Sequence, residues 1–176
     1  EANYKFLPRF LLNAGVRLSV LHAPASAYYA AKTFVMPEPR AELSFIPNAS
    51  HRFSASYTQA AQSIHMLTTS SVGIPSDMWM PANALLKPSV MRQLALGYEY
   101  NFPDKEYTLS LEAYMRRTSH VVDYRKNADI FQNDWIEDEV ETGSARGCGL
   151  EFYLSKNKGA VTGWISYTLS RARNRI

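Results

Sequence analysis

The sequence predicts an all-β chain. It reads as an antiparallel up-and-down meander of about seven strands, one section of a transmembrane β-barrel. Three observations carry this. Apolar and polar residues alternate with a period of two through most of the chain. The connections alternate as well: short turns at Pro47–Ser50, Pro103–Lys105 and Lys156–Gly159, long polar loops at about 23–39, 68–91 and 125–145. Aromatic residues of apolar parity gather beside the short turns. A soluble sandwich has no reason to keep its short turns at one end, whereas an outer-membrane barrel has short periplasmic turns and long outward loops.

The strands follow in order. Leu12, Ala14, Val16, Leu18 and Val20 oppose Asn13, Gly15, Arg17 and Ser19. Ala41, Leu43 and Phe45 oppose Arg40, Glu42 and Ser44, and Phe53, Ala55 and Tyr57 oppose Arg52, Ser54, Ser56 and Thr58. These two runs are shorter than the roughly 9–11 residues an oblique crossing needs, unless irregular flanks extend them. The period fails at 59–63, where Ala60, Ile64 and Leu67 would equally suit a helical turn, so a bulge or an exit from the sheet is expected. Pro75, Pro81 and Pro88 argue against regular structure in the loop that follows. Leu94, Leu96, Tyr98, Tyr100 and Phe102 then oppose Gln93, Gly97, Glu99 and Asn101. Tyr107, Leu109, Leu111, Ala113 and Met115 oppose Thr108, Ser110, Glu112, Tyr114 and Arg116. Leu150, Phe152 and Leu154 oppose Glu151, Tyr153 and Ser155, and Val161, Ile165, Tyr167 and Leu169 oppose Thr162, Trp164, Ser166 and Thr168.

Alternation alone does not say whether the apolar face meets a core or lipid. Two details tilt the choice toward lipid. The polar face carries a charge on nearly every strand: Arg17, Arg40, Glu42, Arg52, Glu99, Glu112, Arg116 and Glu151, as expected of a water-filled lumen. Phe45, Phe53, Tyr100, Phe102 and Tyr107 share the apolar parity near the short turns and read as one membrane girdle. Arg117 has the same parity near the long-loop end. It would sit just above the hydrocarbon, either beside anionic lipid head groups or as an ordinary solvated strand end.

About seven strands cannot close a barrel, since the smallest have about eight and bacterial single-chain barrels have an even number. Glu1 opens without an initiator Met and Ile176 directly follows a strand, so residues 1–176 read as a partial barrel domain of a longer protein. The totals agree. The chain has 176 residues and a net charge of +3, with its basic residues scattered apart from the tail Arg171, Arg173 and Arg175. No nucleic-acid module or basic stripe is visible. Cys148 is the only cysteine, which rules out an internal disulfide and a thiolate metal cluster.

Several runs resemble a known family. They are Pro39-Arg40 opening a strand after a long loop, and Tyr57-Thr58 leading to Gln62 through Leu67. The loop Gly73-Ile74-Pro75-Ser76-Asp77-Met78-Trp79-Met80-Pro81 follows. Further on come Leu96-Gly97-Tyr98-Glu99, Leu111-Glu112-Ala113-Tyr114 and Val122-Asp123-Tyr124. The last is Gly149-Leu150-Glu151 through Lys156, Gly159 and Thr162 to Ser170. In order and spacing the chain resembles TonB-dependent outer-membrane receptors of the Bacteroidetes type. The resemblance implies a section of a barrel of about 22 strands with a plugged lumen. It implies uptake of a scarce nutrient of the siderophore, cobalamin or oligosaccharide class. The implied partners are outer-membrane lipid and lipopolysaccharide, the remainder of the barrel, its plug, the TonB complex acting through that plug, and the small-molecule nutrient. Neither the plug nor the family's aromatic closing strand falls within this sequence.

No enzyme chemistry emerges from the residues. His22, His51, His65 and His120 lie on separate segments without metal-ligand spacing. The acidic run Asp134, Glu137, Asp138, Glu139 and Glu141 lacks a calcium-loop pattern and reads as a solvated loop. There is no nucleophile elbow and no phosphate-binding glycine loop, so neither a catalytic residue nor a metal nor a cofactor is expected. Ligand contact is better placed on the long loops, where Met78, Trp79, Tyr124, Phe131 and Trp135 are the candidates. Two other readings are compatible with the pattern: a small self-contained outer-membrane barrel acting as an adhesin or enzyme, and a soluble β-rich binding module.

Overall fold

The computed structural model describes residues 2–27, 29–68, 77–104, 106–126, 128 and 135–176. Eight strands form one antiparallel sheet. They are β1 (Ala2–Leu7), β2 (Phe10–Ala23), β3 (Lys32–Asn48), β4 (His51–Gln62), β7 (Ser89–Asn101), β8 (Tyr107–Tyr124), β9 (Val140–Lys156) and β10 (Gly163–Arg175), in that spatial order. A separate two-stranded sheet pairs β5 (Ile64–Thr68) with β6 (Asp77–Pro81), and a 3-10 turn spans Ile136–Glu139.

Consecutive strands of the large sheet are neighbours, as in an up-and-down barrel wall. β1 and β10 are its outer strands, so the wall is open. The short turns share one end. Pro8 and Arg9 join β1 to β2, a hairpin that the alternation alone does not reveal. At the β3–β4 turn the Asn48 Oδ1 accepts hydrogen bonds from the backbone N–H of Ser50 at 2.9 Å and of His51 at 3.1 Å, an Asx turn. At the β9–β10 turn Gly159 has φ +105°, a conformation open to glycine without penalty. Lys105, in the β7–β8 turn, lies outside the described residues.

Most strands are longer than the alternation predicts. β3 begins at Lys32 and so absorbs Pro37 and Pro39, which the sequence places in a loop. The register explains how. β3 pairs β2 without interruption from Phe45 back to Lys32, but its ladder with β4 stops at Arg40↔Thr58. The prolines, which lack a backbone N–H, begin just where β4 has left. β8 and β9 likewise extend to Tyr124 and from Val140, past the hydrophobic stretch. At its short-turn end β10 begins only at Gly163, with Val161 and Thr162 in the turn. The suspected helical turn at 60–67 is absent: β4 ends at Gln62, and Ile64–Thr68 is a strand. The second long loop is not irregular throughout either, because Asp77–Pro81 pairs with that strand. Pro81 is tolerated there as the strand's terminal residue.

The apolar face is uncovered. Val16 is 72% exposed, Leu96 65%, Met115 66% and Ile165 67%. Among the described residues no second layer packs on these side chains, which excludes a sandwich core. The polar face is denser. Ser44 is fully buried, its Oγ donating to Glu42 Oε1 at 2.9 Å, while Arg52 Nη2 pairs with the same oxygen at 2.7 Å. Arg52 Nη2 also donates to Ser44 Oγ at 3.1 Å. Tyr114 lies over Gly149, where any Cβ would stand 2.7 Å from its ring. The Arg116 guanidinium stands 5.6 Å from the same ring's centroid, in cation–π range.

An arginine on the apolar face near the bilayer midplane costs roughly 2–4 kcal/mol, and one facing a lumen costs little. Leu96→Arg should therefore lower the urea stability of the intact barrel in lipid vesicles by about that much, with Gln93→Arg near wild type. Equal losses for the two variants would contradict the assigned faces.

Candidate functional site: the long-loop cap

The second and third long loops gather above one end of the wall around a hydrophobic cluster. Leu67 of β5, Met80 of β6, Leu86 and Val122 of β8 are buried together, and Tyr124, Ile136 and Val140 pack against them. The β5–β6 hairpin is two-faced. Leu67 and Met80 belong to this cluster and His65 is buried on the same face, while Ile64, Met66 and Trp79 stay exposed on the other. Trp79 is 64% exposed.

Polar groups pin the cap. The Asn83 Oδ1 accepts from the backbone N–H of Leu85 and of Leu86, both at 2.9 Å, and its Nδ2 donates to Glu137 Oε1 at 3.2 Å. Arg125 clamps Glu139 through Nε at 3.1 Å and Nη2 at 2.9 Å, and its backbone N–H donates to the Glu139 carbonyl at 2.9 Å. Hydrogen bonding by that carboxylate raises the guanidinium's pKa. Glu137 and Glu139 of the acidic run are thus engaged with protein groups, and among the described residues no three metal-ligating side chains converge. Asp134 lies outside the described residues.

β8 enters the cap through a bulge. His120 has φ 56° and the ladder with β9 slips between Ser119 and Val121, the extra residue and left-handed turn of a β-bulge. Ser89 Oγ donates to the His120 carbonyl at 2.7 Å, and His120 Nδ1 lies 3.2 Å from the Pro88 carbonyl. His65 sits beside this junction, its Nε2 3.1 Å from the Lys87 carbonyl. A donor is needed at that nitrogen, so the neutral ring carries its proton there.

The sequence-derived ligand candidates separate. Trp135 borders a hollow of about 270 Å3 together with Tyr29, Leu85, Glu137 and Asp138. Each of the three long loops contributes to it, and Tyr29 and Leu85 carry no sequence signal that would single them out. Met78 and Trp79 lie on the hairpin, and Tyr124 is half-buried against the cluster. Phe131 lies outside the described residues, as do Gly73 to Ser76 of the family-like loop.

At the opposite end the rings touch in series. Centroids are 4.7 Å apart for Phe10–Phe45, 6.3 Å for Phe45–Phe53 and 4.9 Å for Phe53–Tyr98. They continue through His51 to Tyr100 at 4.8 Å, Phe102 at 4.8 Å and Tyr107 at 5.8 Å. Phe10, His51 and Tyr98 join the five aromatics singled out in the sequence.

With wall, cap and turns in place, comparison with known proteins decides the family. The family described as TonB dependent receptor-like, beta-barrel matches residues 1–175. The chain belongs to that family. Its place is the outer membrane of Gram-negative bacteria. Among curated proteins no relative matches the chain. Among solved structures it is similar to the FrpB iron transporter from Neisseria meningitidis. For the F3-3 variant the TM-score is 0.67 at 15% identity, covering 98% of this chain and 24% of that one. For the F5-1 variant in its apoprotein form it is 0.65 at 14% identity, covering 98% and 25%. The chain thus spans about a quarter of the length of these transporters.

Burial lowers the His65 pKa from the ordinary 6.5, against the hydrogen bond to Lys87 and with help from His120. The folded cap therefore prefers the neutral ring. Its stability should be level above pH 6.5 and fall as the pH drops below that value toward the lowered pKa. Hydrogen exchange of β5 and β6 in the intact receptor should speed up over that window, and His65→Gln should flatten the response. Exchange that is insensitive to pH in the native protein, after correction for intrinsic rates, would remove His65 as the cause.

Proposed function

We propose that this chain is a section of the barrel domain of a TonB-dependent importer of the Bacteroidetes type. It supplies barrel wall and substrate-facing loops, and it performs no catalysis. One observation carries the reading: an open wall of ordered hairpins bears its long loops at one end, where they meet at an aromatic and acidic hollow. The rest of the barrel seals the open edges at β1 and β10, because unpaired backbone groups in hydrocarbon cost several kcal/mol each. A plug fills the lumen and couples to the TonB complex.

In this reading Arg17, Arg40, Glu42, Arg52, Glu99, Glu112, Arg116 and Glu151 face the lumen. They pair with one another, as Arg52 does with Glu42, or with the plug. Phe45, Phe53, Tyr100, Phe102 and Tyr107 form the periplasmic-side girdle, a reading supported by the ring contacts that join them through Tyr98 and His51. Trp135 and its neighbours Tyr29, Glu137 and Asp138 make the first contact with substrate, and Trp79 offers a second apolar surface on the open face of the β5–β6 hairpin, with Met78 on its other face. Flat aromatic faces next to carboxylates suit a nutrient with both apolar and hydroxyl-rich or cationic surfaces. Siderophore complexes, cobalamin and oligosaccharides meet that description, and the neisserial relatives are iron transporters.

Deleting the full receptor gene should abolish energised uptake of one of these three classes, measured with labelled ferric siderophores, cobalamin and oligosaccharides. Restoring the gene with Trp135→Ala should return the barrel to the membrane with uptake reduced at least about tenfold at limiting substrate, a loss of about 1.4 kcal/mol. Unchanged uptake of all three classes in the deletion strain would overturn the importer reading.

A further inference from the structure

The third long loop is strongly acidic. Residues 123–141 hold seven carboxylates, at Asp123, Asp129, Asp134, Glu137, Asp138, Glu139 and Glu141, against two bases, Arg125 and Lys126. The chain as a whole carries +3, so this loop runs against the balance of the molecule.

The fold sets part of that charge beside aromatic rings. The backbone N–H of Asp138 donates to the Trp135 carbonyl at 3.2 Å. Side chains three residues apart eclipse in such a 3-10 turn, so the indole and the Asp138 carboxylate leave the chain on one side. With Glu137 they line the hollow of about 270 Å3, together with Tyr29 and Leu85. Tyr29 comes from the first loop, where its carbonyl accepts from the backbone N–H of Ser26 at 2.9 Å. Glu137 is held by Asn83, and Ile136 packs on the buried cluster. The turn is therefore anchored before any ligand arrives.

The bases of the loop leave the hollow acidic. Arg125 is clamped by Glu139 at 3.1 and 2.9 Å, and reaches Asp138 only by attraction at longer range. Lys126 is exposed and does not line the hollow. Among the described residues no cation forms an ion pair with Glu137 or Asp138.

This combination discriminates between ligand chemistries. An anion is repelled. A hard metal ion needs several converging oxygens, and among the described residues no three metal-ligating side chains converge. A neutral sugar could stack on the rings but would leave both carboxylates without a counter-charge. An organic cation uses every wall: ring faces attract it through their quadrupole, and the carboxylates through their charge. The hollow is smaller than the roughly 300–1,000 Å3 of a whole small-molecule pocket, so it takes one group of a larger molecule.

We propose that the hollow of Tyr29, Trp135, Glu137 and Asp138 binds an ammonium or guanidinium group of the imported nutrient. The inference rests on the importer reading and narrows it. Siderophores with a free amine and oligomers of amino sugars qualify, whereas cobalamin, whose side chains end in amides, does not.

The test takes the full receptor in nonionic detergent and three fragments sharing one body: fluorobenzylamine, fluorobenzyl alcohol and fluorobenzoate. Binding is read by fluorine NMR. The amine should bind at least about tenfold more tightly than the alcohol, and the benzoate should not bind. Raising the salt from about 0.05 to 0.5 M should weaken the amine at least about threefold and leave the alcohol unchanged. Glu137→Gln with Asp138→Asn should erase the amine's advantage, and the amide oxygen at 137 still accepts from Asn83, so the cap keeps its anchor. Folding is checked by heat-modifiable gel mobility. If the double variant fails to fold, Asp138→Asn alone decides, with at least about a threefold loss of the advantage expected. Equal affinity of amine and alcohol, or an advantage that survives these variants, would overturn the proposal. In cells, labelled uptake of a ferric trihydroxamate with a free amine and of a glucosamine oligomer tells which body carries the group. Asp138→Asn should slow one of them, and unchanged uptake of both would also overturn the assignment. The deletion strain keeps the two readings apart. A class of nutrient lost there, with no preference for the amine, strikes the cation and leaves the importer.

Discussion

A strand inside hydrocarbon must find its backbone partners sideways, because no water is there to supply them. That single requirement leaves each strand only its two faces for side chains. In this wall the faces divide below the long-loop end: aliphatic residues on one side are left open, and serines, glutamates and arginines on the other knit together. The uncovered leucines would be a defect in a soluble sheet of this size, since large exposed apolar patches mark an interaction surface. Here the partner is the bilayer. The same requirement explains where the chain is free to depart from the sheet. β4 leaves at Ser63 and β5 pairs elsewhere only above the membrane, where water and the cap's own groups satisfy the backbone.

Local chemistry marks each place where the ladder changes. Two prolines occupy the part of β3 that β4 no longer accompanies. His120 takes a left-handed conformation at the bulge and is held by Ser89. Gly149 has no side chain because the Tyr114 ring fills the space above it. Gly97 has none because the Ser54 hydroxyl would stand 2.5 Å from a Cβ. On the polar face a small residue and a larger neighbour on the adjacent strand share one volume, which keeps that face flat enough to line a lumen.

The strand faces were legible because a period of two needs no tertiary knowledge. Strand lengths were less so. The upper parts of β3, β8 and β9 stand above the hydrocarbon, so their residues need not alternate, and Pro37 and Pro39 imitate a loop. The β5–β6 hairpin was illegible for a related reason. Its two short runs are flanked by prolines, and which face is buried depends on Leu86, Val122 and Ile136, far away in sequence. The hollow beside Trp135 needed three loops to meet, and nothing about Tyr29 or Leu85 announces that meeting. The outward arginines were visible only in part. Parity exposes Arg117, but its alignment with Arg92, Arg146 and Arg173 depends on three independent registers.

The distribution of charge follows from the same division of faces. The acids of this sheet lie on its polar face, where arginines such as Arg52 meet them. An outward arginine on the same strands then meets neutral partners at most, as Arg92 meets Gln59, since a side chain cannot cross its own sheet to reach those acids. At mid-membrane height such a residue would cost several kcal/mol, and at the interface the cost falls toward zero. Outward arginines are therefore tolerable only in a band near the head groups, and Arg92, Arg117, Arg146 and Arg173, aligned across four strands, fall at the long-loop end.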